Sequence, residues 1–144
     1  MTIERLKEFF CRYESFFMKS LYEEIDSEEI LNLYASEFIA ATPLGVMTGK
    51  NDDDFKQALF AGYEQYRKMG TKKMCVRDVK MTPIDERHCL ADVEWTATYE
   101  KTDGTRIDID FQVHYLMQEK DENLRIFGWI AGDEQELLKK SGVI

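Results

Sequence analysis

Apolar and polar side chains alternate along two stretches of the chain that flank a short turn. In residues 93–99 every second side chain is apolar, and the same holds for residues 107–113. The sequence between them is Lys101-Thr102-Asp103-Gly104-Thr105. Alternation with a period of two residues is typical of a strand with one buried face, and Asp-Gly is typical of a tight turn. The pattern predicts a long antiparallel hairpin with one apolar face.

This hairpin has two possible registers, which place different side chains on the apolar face. If Thr102-Asp103-Gly104 forms a type I turn with a glycine bulge, Trp95 lies opposite Phe111, and Asp110 and His114 point to the other face. If Asp103-Gly104 alone forms the loop, Asp110 and His114 come inside. A slip of one residue moves every side chain to the opposite face, and burial of carboxylates without partners is costly. The first register is therefore favoured.

Elsewhere, apolar residues recur every three to four positions and predict helices. A long first helix begins at Ile3 and continues to about Leu21. Asp26-Ser27 is the expected N-cap of a short second helix that includes Tyr34, and Asn51 is the expected N-cap of a third helix that ends at Gly70. Strands are predicted over residues 37–42, 73–82, 88–100, 106–118 and 124–131, followed by a terminal helix over residues 134–140 that is capped by Gly132-Asp133.

This order of elements predicts an α+β fold in which a curved antiparallel sheet wraps around the N-terminal helices. The chain of 144 residues is expected to form a single domain, residues 1–144. A cavity is expected between the inner face of the sheet and the first and third helices.

Composition narrows the range of partners. The formal net charge is −9, which disfavours nucleic-acid phosphates and anionic membrane surfaces. The N-terminal residues do not resemble a signal peptide, and no apolar run is long enough to span a membrane. Three cysteines form an odd count at unrelated spacings, as expected for reduced thiols in the cytoplasm.

The favoured register also predicts an apolar patch on the outer face of the sheet. Extended into the next strands, it places Leu116, Phe127 and Trp129 on that face beside His114. The inner face then receives Tyr115, Met117, Ile126, Gly128 and Ile130. Because large exposed apolar patches usually mark contact sites, the outer face is expected to form a homodimer interface.

Several segments together resemble a known superfamily. They are residues 26–35 leading into 38–45, then Gly49, and then the hairpin from Tyr99 to Asp103-Gly104 with its partner strand Ile126–Ile130. The chain resembles the NTF2-like superfamily, the cone-shaped α+β fold of nuclear transport factor 2, ketosteroid isomerase and the SnoaL-like polyketide cyclases. The resemblance implies the fold rather than one function, since that superfamily includes enzymes, binding modules and adaptors.

The resemblance argues against ketosteroid isomerase chemistry. The positions that match the catalytic groups of that isomerase hold Met18, Thr42 and Val113, none of which is a general acid or base near neutral pH. The cyclase relatives use His and Asp side chains in the cavity, whereas His114 faces outward in the favoured register. If the protein is an enzyme, the expected class is a cofactor-independent isomerase, cyclase or lyase of the SnoaL-like type.

Aromatic side chains are the candidate ligand-binding residues. Clustered rings with phenol groups suit a flat hydrophobic molecule, although the same residues could form an ordinary core. With two histidines and no metal-binding spacing, neither a metal site nor a cofactor is expected. The leading prediction is binding or transformation of a small apolar, cyclic molecule, and the alternative is a non-catalytic interaction module that uses the outer face. The predicted ligand-binding residues are Tyr13, Phe17, Thr42, Tyr63, Trp95, Tyr99, Phe111 and Tyr115, with Thr42 as a polar group at the cavity mouth.

Overall fold

A curved six-stranded sheet, three α-helices and a short 3₁₀ helix make up the structure, a computed structural model that describes residues 1–25 and 28–144. The α+β architecture predicted from the pattern is confirmed. In chain order the elements are α1 (Ile3–Ser20), a 3₁₀ helix (Glu28–Leu33), β1 (Tyr34–Thr42), β2 (Gly45–Lys50), α2 (Asp53–Lys68), β3 (Thr71–Pro83), β4 (His88–Glu100), β5 (Arg106–Lys120), β6 (Asn123–Ala131) and α3 (Glu134–Lys140).

The strands lie in the order β2-β1-β6-β5-β4-β3. Strand β1 pairs in parallel with β6, and every other neighbouring pair is antiparallel. Strand β2 was not predicted, because Val46 and Met47 are both exposed and the segment shows no apolar alternation. Helices α1 and α2 pack on the inner face of the sheet.

Two helix predictions need correction. The N-cap of α2 is Asp52, whose carboxylate accepts a hydrogen bond from the backbone N–H of Phe55 at 3.0 Å. Asn51 instead donates its side-chain amide to the carbonyl of Leu31 at 2.7 Å. Tyr34, predicted to be helical, begins β1. The cap predicted at residues 26–27 lies outside the described residues.

The β4–β5 hairpin has the favoured register. Trp95 pairs with Phe111, and Tyr99 pairs with Ile107. Lys101 and Thr105 close a three-residue loop through a backbone hydrogen bond of 2.8 Å, and Gly104 has φ +86°, a conformation that glycine adopts without strain. Carboxylates are therefore kept off the inner face.

Strand β6 contains a bulge that reverses part of the predicted pattern. Leu116 pairs with Gly128 and Met117 pairs with Ile126, so Phe127 is an extra residue in β6. Beyond the bulge, the alternation is shifted by one position. Trp129 therefore lies on the inner face, and Gly128 and Ile130 lie on the outer face, opposite to the prediction.

The outer edge of β3 is covered by side chains from the first part of the chain. The carboxylate of Glu14 accepts a hydrogen bond from the backbone N–H of Val76, and Sδ of Met18 accepts one from the backbone N–H of Met74 at 3.1 Å. The hydroxyl of Tyr22 donates to the carbonyl of Lys72. These contacts occupy backbone groups that do not pair with β4.

Candidate functional site

A cavity of about 530 Å³ lies between the inner face of the sheet and the helices. Helix α1 contributes two rings, α2 contributes three, and β4, β5 and β6 contribute most of the opposite wall. Helix α3 lines the remaining side through Leu137 and Leu138. The volume falls within the range of small-molecule sites.

Seven of the eight predicted ligand-binding residues line this cavity. They are Tyr13, Phe17, Tyr63, Trp95, Tyr99, Phe111 and Tyr115. Thr42 does not line it, because it lies at the exposed end of β1 beside the turn to β2. There its hydroxyl accepts a hydrogen bond from the backbone N–H of Leu44 at 3.2 Å.

Four further aromatic residues line the cavity: Tyr34, Phe55, Tyr66 and Trp129. Phe55 and Tyr66 lie on α2 at helical spacing from the predicted Tyr63, so the sequence pattern could have identified them. Trp129 was missed because the bulge in β6 was not anticipated. Tyr34 was missed because it was assigned to a helix.

The rings contact one another around Trp95. Its indole stacks nearly parallel to the ring of Phe111, with centroids 6.4 Å apart and an interplanar angle of 8°. The ring of Tyr13 lies 5.8 Å from the indole, and Phe17 lies 5.1 Å from Tyr66. Trp95 is 1% exposed, so strand β4 holds it within the core while one side lines the cavity.

Three tyrosine hydroxyls lie close together at one side of the cavity, on Tyr13, Tyr34 and Tyr115; this group is called the hydroxyl cluster. The hydroxyls of Tyr13 and Tyr34 are hydrogen-bonded at 3.1 Å. Burial is the main cause that raises the pKa of all three phenols, well above the usual value for Tyr34 and Tyr115. The cluster therefore stays uncharged across the physiological pH range.

The indole N–H of Trp95 has no hydrogen-bond partner among the described residues. It lies near the hydroxyl of Tyr115, where burial raises the pKa of that phenol and the indole N–H lowers it. The two groups do not meet the distance and angle of a hydrogen bond, so we regard the indole donor as unpaired. An unpaired buried donor is uncommon in proteins.

Charged groups in the cavity lining are acidic. Glu134 accepts a hydrogen bond from the hydroxyl of Tyr66 at 2.5 Å, and Asp133 caps α3 through the backbone N–H of Glu136. Burial, and then the nearby charge of Glu134, raise the pKa of Tyr66 well above its usual value. Within the described part of the lining there is no lysine, arginine or histidine.

The outer face differs from the cavity in composition. His114 lies there as predicted, with Nδ1 in close contact with a carboxylate oxygen of Asp92. Leu116 and Phe127 also lie there, whereas Trp129 belongs to the inner face. The apolar part of this face, called the outer patch, consists of Ile39, Leu116, Phe127 and Ile130 around Gly128.

The positions matched to the isomerase catalytic groups carry no acid–base chemistry. Met18 contacts the backbone of β3, Thr42 is exposed, and Val113 is a buried part of the cavity wall.

Burial raises the pKa of the Cys89 thiol to about 11, so this thiol is a poor nucleophile at neutral pH. No group of three metal-ligating side chains was found in residues 1–25 and 28–144.

A family model described as "NTF2-like protein (DUF6841)" matches residues 4–134. The chain belongs to this NTF2-like family. No curated protein matches the sequence. Among the helices of the described residues, none is long and apolar enough to cross a membrane.

Solved structures share the NTF2-like fold at low sequence identity. An NTF2-like protein with a cystatin-like fold from Novosphingobium aromaticivorans is 13% identical, with TM-score 0.68, covering 98% of this chain and 87% of that one. The association domain of CaMKII from C. elegans is 14% identical, with TM-score 0.62, covering 88% and 95%. An NTF2-like superfamily protein from Salmonella enterica is 13% identical, with TM-score 0.60, covering 91% of both chains. At these identities the likeness concerns the fold alone.

Proposed function

We propose that this NTF2-like protein binds a small, flat, mainly apolar molecule in the aromatic cavity. The observation that carries the proposal is the cavity of about 530 Å³, whose walls are aromatic rings supplied by two helices and four strands. Aromatic rings favour flat ligands, because offset stacking and edge contacts add to the gain from burying apolar area. The described residues of the lining provide no acid–base pair that faces the cavity, so binding is the function that the site supports best.

The test is ligand binding by a variant with a partly filled cavity. Gly62 lines the cavity, and apart from its chain neighbours and the backbone of α2 no described atom lies within 4 Å of the position that a Cβ would take there. We expect Gly62→Leu to reduce the affinity for naphthalene, used as a flat apolar probe, because the new side chain occupies the space. Equilibrium dialysis measures this affinity directly.

Ala61→Leu is the matched control, because Ala61 is the preceding residue of α2 and is exposed. It adds the same side chain away from the cavity and should leave the affinity unchanged. Equal affinities for wild type and both variants would show that the probe binds elsewhere. Absence of binding to the wild type would overturn the proposal for flat apolar molecules of this size.

The outer patch supports a second candidate function, self-association. Ile39 and Ile130 are 40% and 45% exposed on adjacent strands, beside the partly buried Leu116 and Phe127. A second copy could cover this face through an isologous contact, in which the same patch serves both subunits. One structural neighbour, the association domain of CaMKII from C. elegans, supports this proposal.

The experiment for self-association is a mass measurement by light scattering. We expect wild type to have the mass of a dimer and Ile130→Glu the mass of a monomer, because the new charge would have to be desolvated in the contact. Ile84→Glu is the control, since Ile84 is 62% exposed and lies between β3 and β4, outside the outer patch. A monomeric wild type at micromolar concentration would rule out the dimer.

A further inference from the structure

The polar groups in the cavity restrict the chemistry of its ligand further than its size and shape do. Trp95 is 1% exposed, and its indole N–H has no partner in the described part of the chain. An indole nitrogen donates a hydrogen bond and cannot accept one. A ligand atom that satisfies this group must therefore be an acceptor.

The hydroxyl cluster provides further donors beside the indole. The ring centroid of Tyr13 lies 5.8 Å from that of Trp95 and 6.0 Å from that of Tyr115. One hydroxyl hydrogen is used in the hydrogen bond between Tyr13 and Tyr34. The hydroxyl of Tyr115 lies close enough to that of Tyr13 for each to change the pKa of the other, so a ligand oxygen at this side of the cavity would meet both groups. Burial raises the pKa of each phenol, so these groups remain protonated donors at neutral pH.

The charges of the lining disfavour an anion. The charged residues among the described lining residues are Asp110, Asp133 and Glu134. Asp110 uses its carboxylate on the outer face, where it accepts a hydrogen bond from the Thr96 hydroxyl at 2.6 Å. A carboxylate ligand would enter an apolar cavity without a cationic partner, at a large desolvation cost.

We propose that the cavity selects uncharged ring molecules that carry a carbonyl oxygen, which accepts hydrogen bonds from the Trp95 indole and the Tyr115 hydroxyl, and that it rejects the corresponding carboxylates. This inference rests on the proposed binding function and adds the ligand class. The residues involved lie on β4 and β5, away from the positions Met18 and Thr42.

Three probes with the same bicyclic ring test the proposal: naphthalene, 2-acetylnaphthalene and 2-naphthoate. Their dissociation constants are measured by equilibrium dialysis at neutral pH. We expect the ketone to bind about threefold to tenfold more tightly than naphthalene, as one or two neutral hydrogen bonds provide. We expect the carboxylate to bind more weakly than naphthalene.

Two conservative variants identify the donors. Tyr115→Phe removes a hydroxyl and Trp95→Phe removes the indole N–H, and each should bring the ratio of ketone to naphthalene affinity towards one. Tyr22→Phe is the control, because the hydroxyl of Tyr22 contacts the Lys72 carbonyl outside the cavity, and it should leave the ratio unchanged. Circular dichroism checks that each variant is folded. If one variant does not fold, the other still reports on the donors.

The outcomes separate this inference from the binding function itself. If all three probes fail to bind, the binding function is overturned, and the ligand class with it. If naphthalene or naphthoate binds as tightly as the ketone, the cavity binds flat molecules but the proposed selectivity is wrong. A ketone preference that survives both Tyr115→Phe and Trp95→Phe would overturn the assignment of the donors.

Discussion

The two faces of the β4–β5 hairpin are built from alternate residues of the same strands, yet they have different properties. The inner face presents Trp95 and Tyr115 to the aromatic cavity, where burial raises the pKa of the Tyr115 hydroxyl. The outer face pairs Thr96 with Asp110 and Thr98 with Asp108 through hydrogen bonds of 2.6 Å. A register shift of one residue would exchange these two sets. The bulged glycine turn therefore decides where both the cavity and the carboxylates lie.

The largest expected difference between the faces is in their response to pH. The inner phenols have a pKa above the usual 10.0, so the folded state holds their protons more tightly than the unfolded state does. Their stabilisation is complete below about pH 10 and is lost as the pH rises towards the folded-state values. We expect the melting temperature to fall steeply between about pH 10 and pH 12, together with the appearance of phenolate absorbance.

The surface carboxylates should cause a smaller loss of folding stability at acid pH. The Arg5 guanidinium lowers the pKa of Glu119, and backbone and side-chain hydrogen bonds to Thr105 lower that of Asp103. Stability from these groups is present above about pH 4 and is lost as the pH falls through the folded-state values. At the alkaline end, ionisation of Tyr13, Tyr34 or Tyr115 in the folded protein, at a pH below that of the unfolding transition, would contradict the assignment of buried phenols.

Truncation of the largest inner side chain should have the next largest effect. Trp95→Ala removes a fully buried indole, and we expect the free energy of unfolding to fall by about 3–5 kcal/mol. Urea denaturation measures the change. A loss below about 1 kcal/mol would mean that Trp95 contributes little to the core.

A methyl group added on the outer face should have an intermediate effect. A Cβ at Gly128 would lie 2.8 Å from Cγ1 of Ile39 and 2.9 Å from Cδ1 of Leu116. We expect Gly128→Ala to destabilise the protein by about 1–3 kcal/mol through overpacking. Gly62→Ala, in the open part of α2, should stabilise it by about 0.5–1 kcal/mol. Equal effects of the two substitutions would show that the outer patch is loosely packed.

The smallest effect is expected for a polar pair on the outer face. Thr96 follows Trp95 in the sequence, and its hydroxyl donates a hydrogen bond to Asp110. Thr96→Ala removes that hydroxyl. Because both groups are accessible to water, we expect a change of at most about 1 kcal/mol in urea denaturation. A loss as large as that of Trp95→Ala would mean that the two faces contribute equally.

The sequence predicted the hairpin well because three signals agreed there. Alternation, the Thr-Asp-Gly turn and the cost of buried carboxylates all favoured one register. Most of the cavity lining followed from that register and from the helical spacing of Tyr13 and Phe17 in α1. Thr42 was misplaced because the family comparison located it without showing that β1 continues into an exposed turn.

The end of β6 could not be predicted from alternation alone. A bulge adds one residue without changing the local composition, so Gly128, Trp129 and Ile130 were assigned to the wrong faces. A glycine within a strand was the available signal, since it often marks a bulge or a close approach. The edge strand β2 showed no pattern because it has no buried face.

The side chains that cover the edge of β3 have a consequence for aggregation. Adding a strand to a sheet requires free backbone N–H and C=O groups along its border. Glu14, Met18 and Tyr22 occupy such groups along β3, whereas β2 lies at the opposite border. A second chain would have to displace these three side chains before it could pair with this part of β3, so they oppose strand addition at that border.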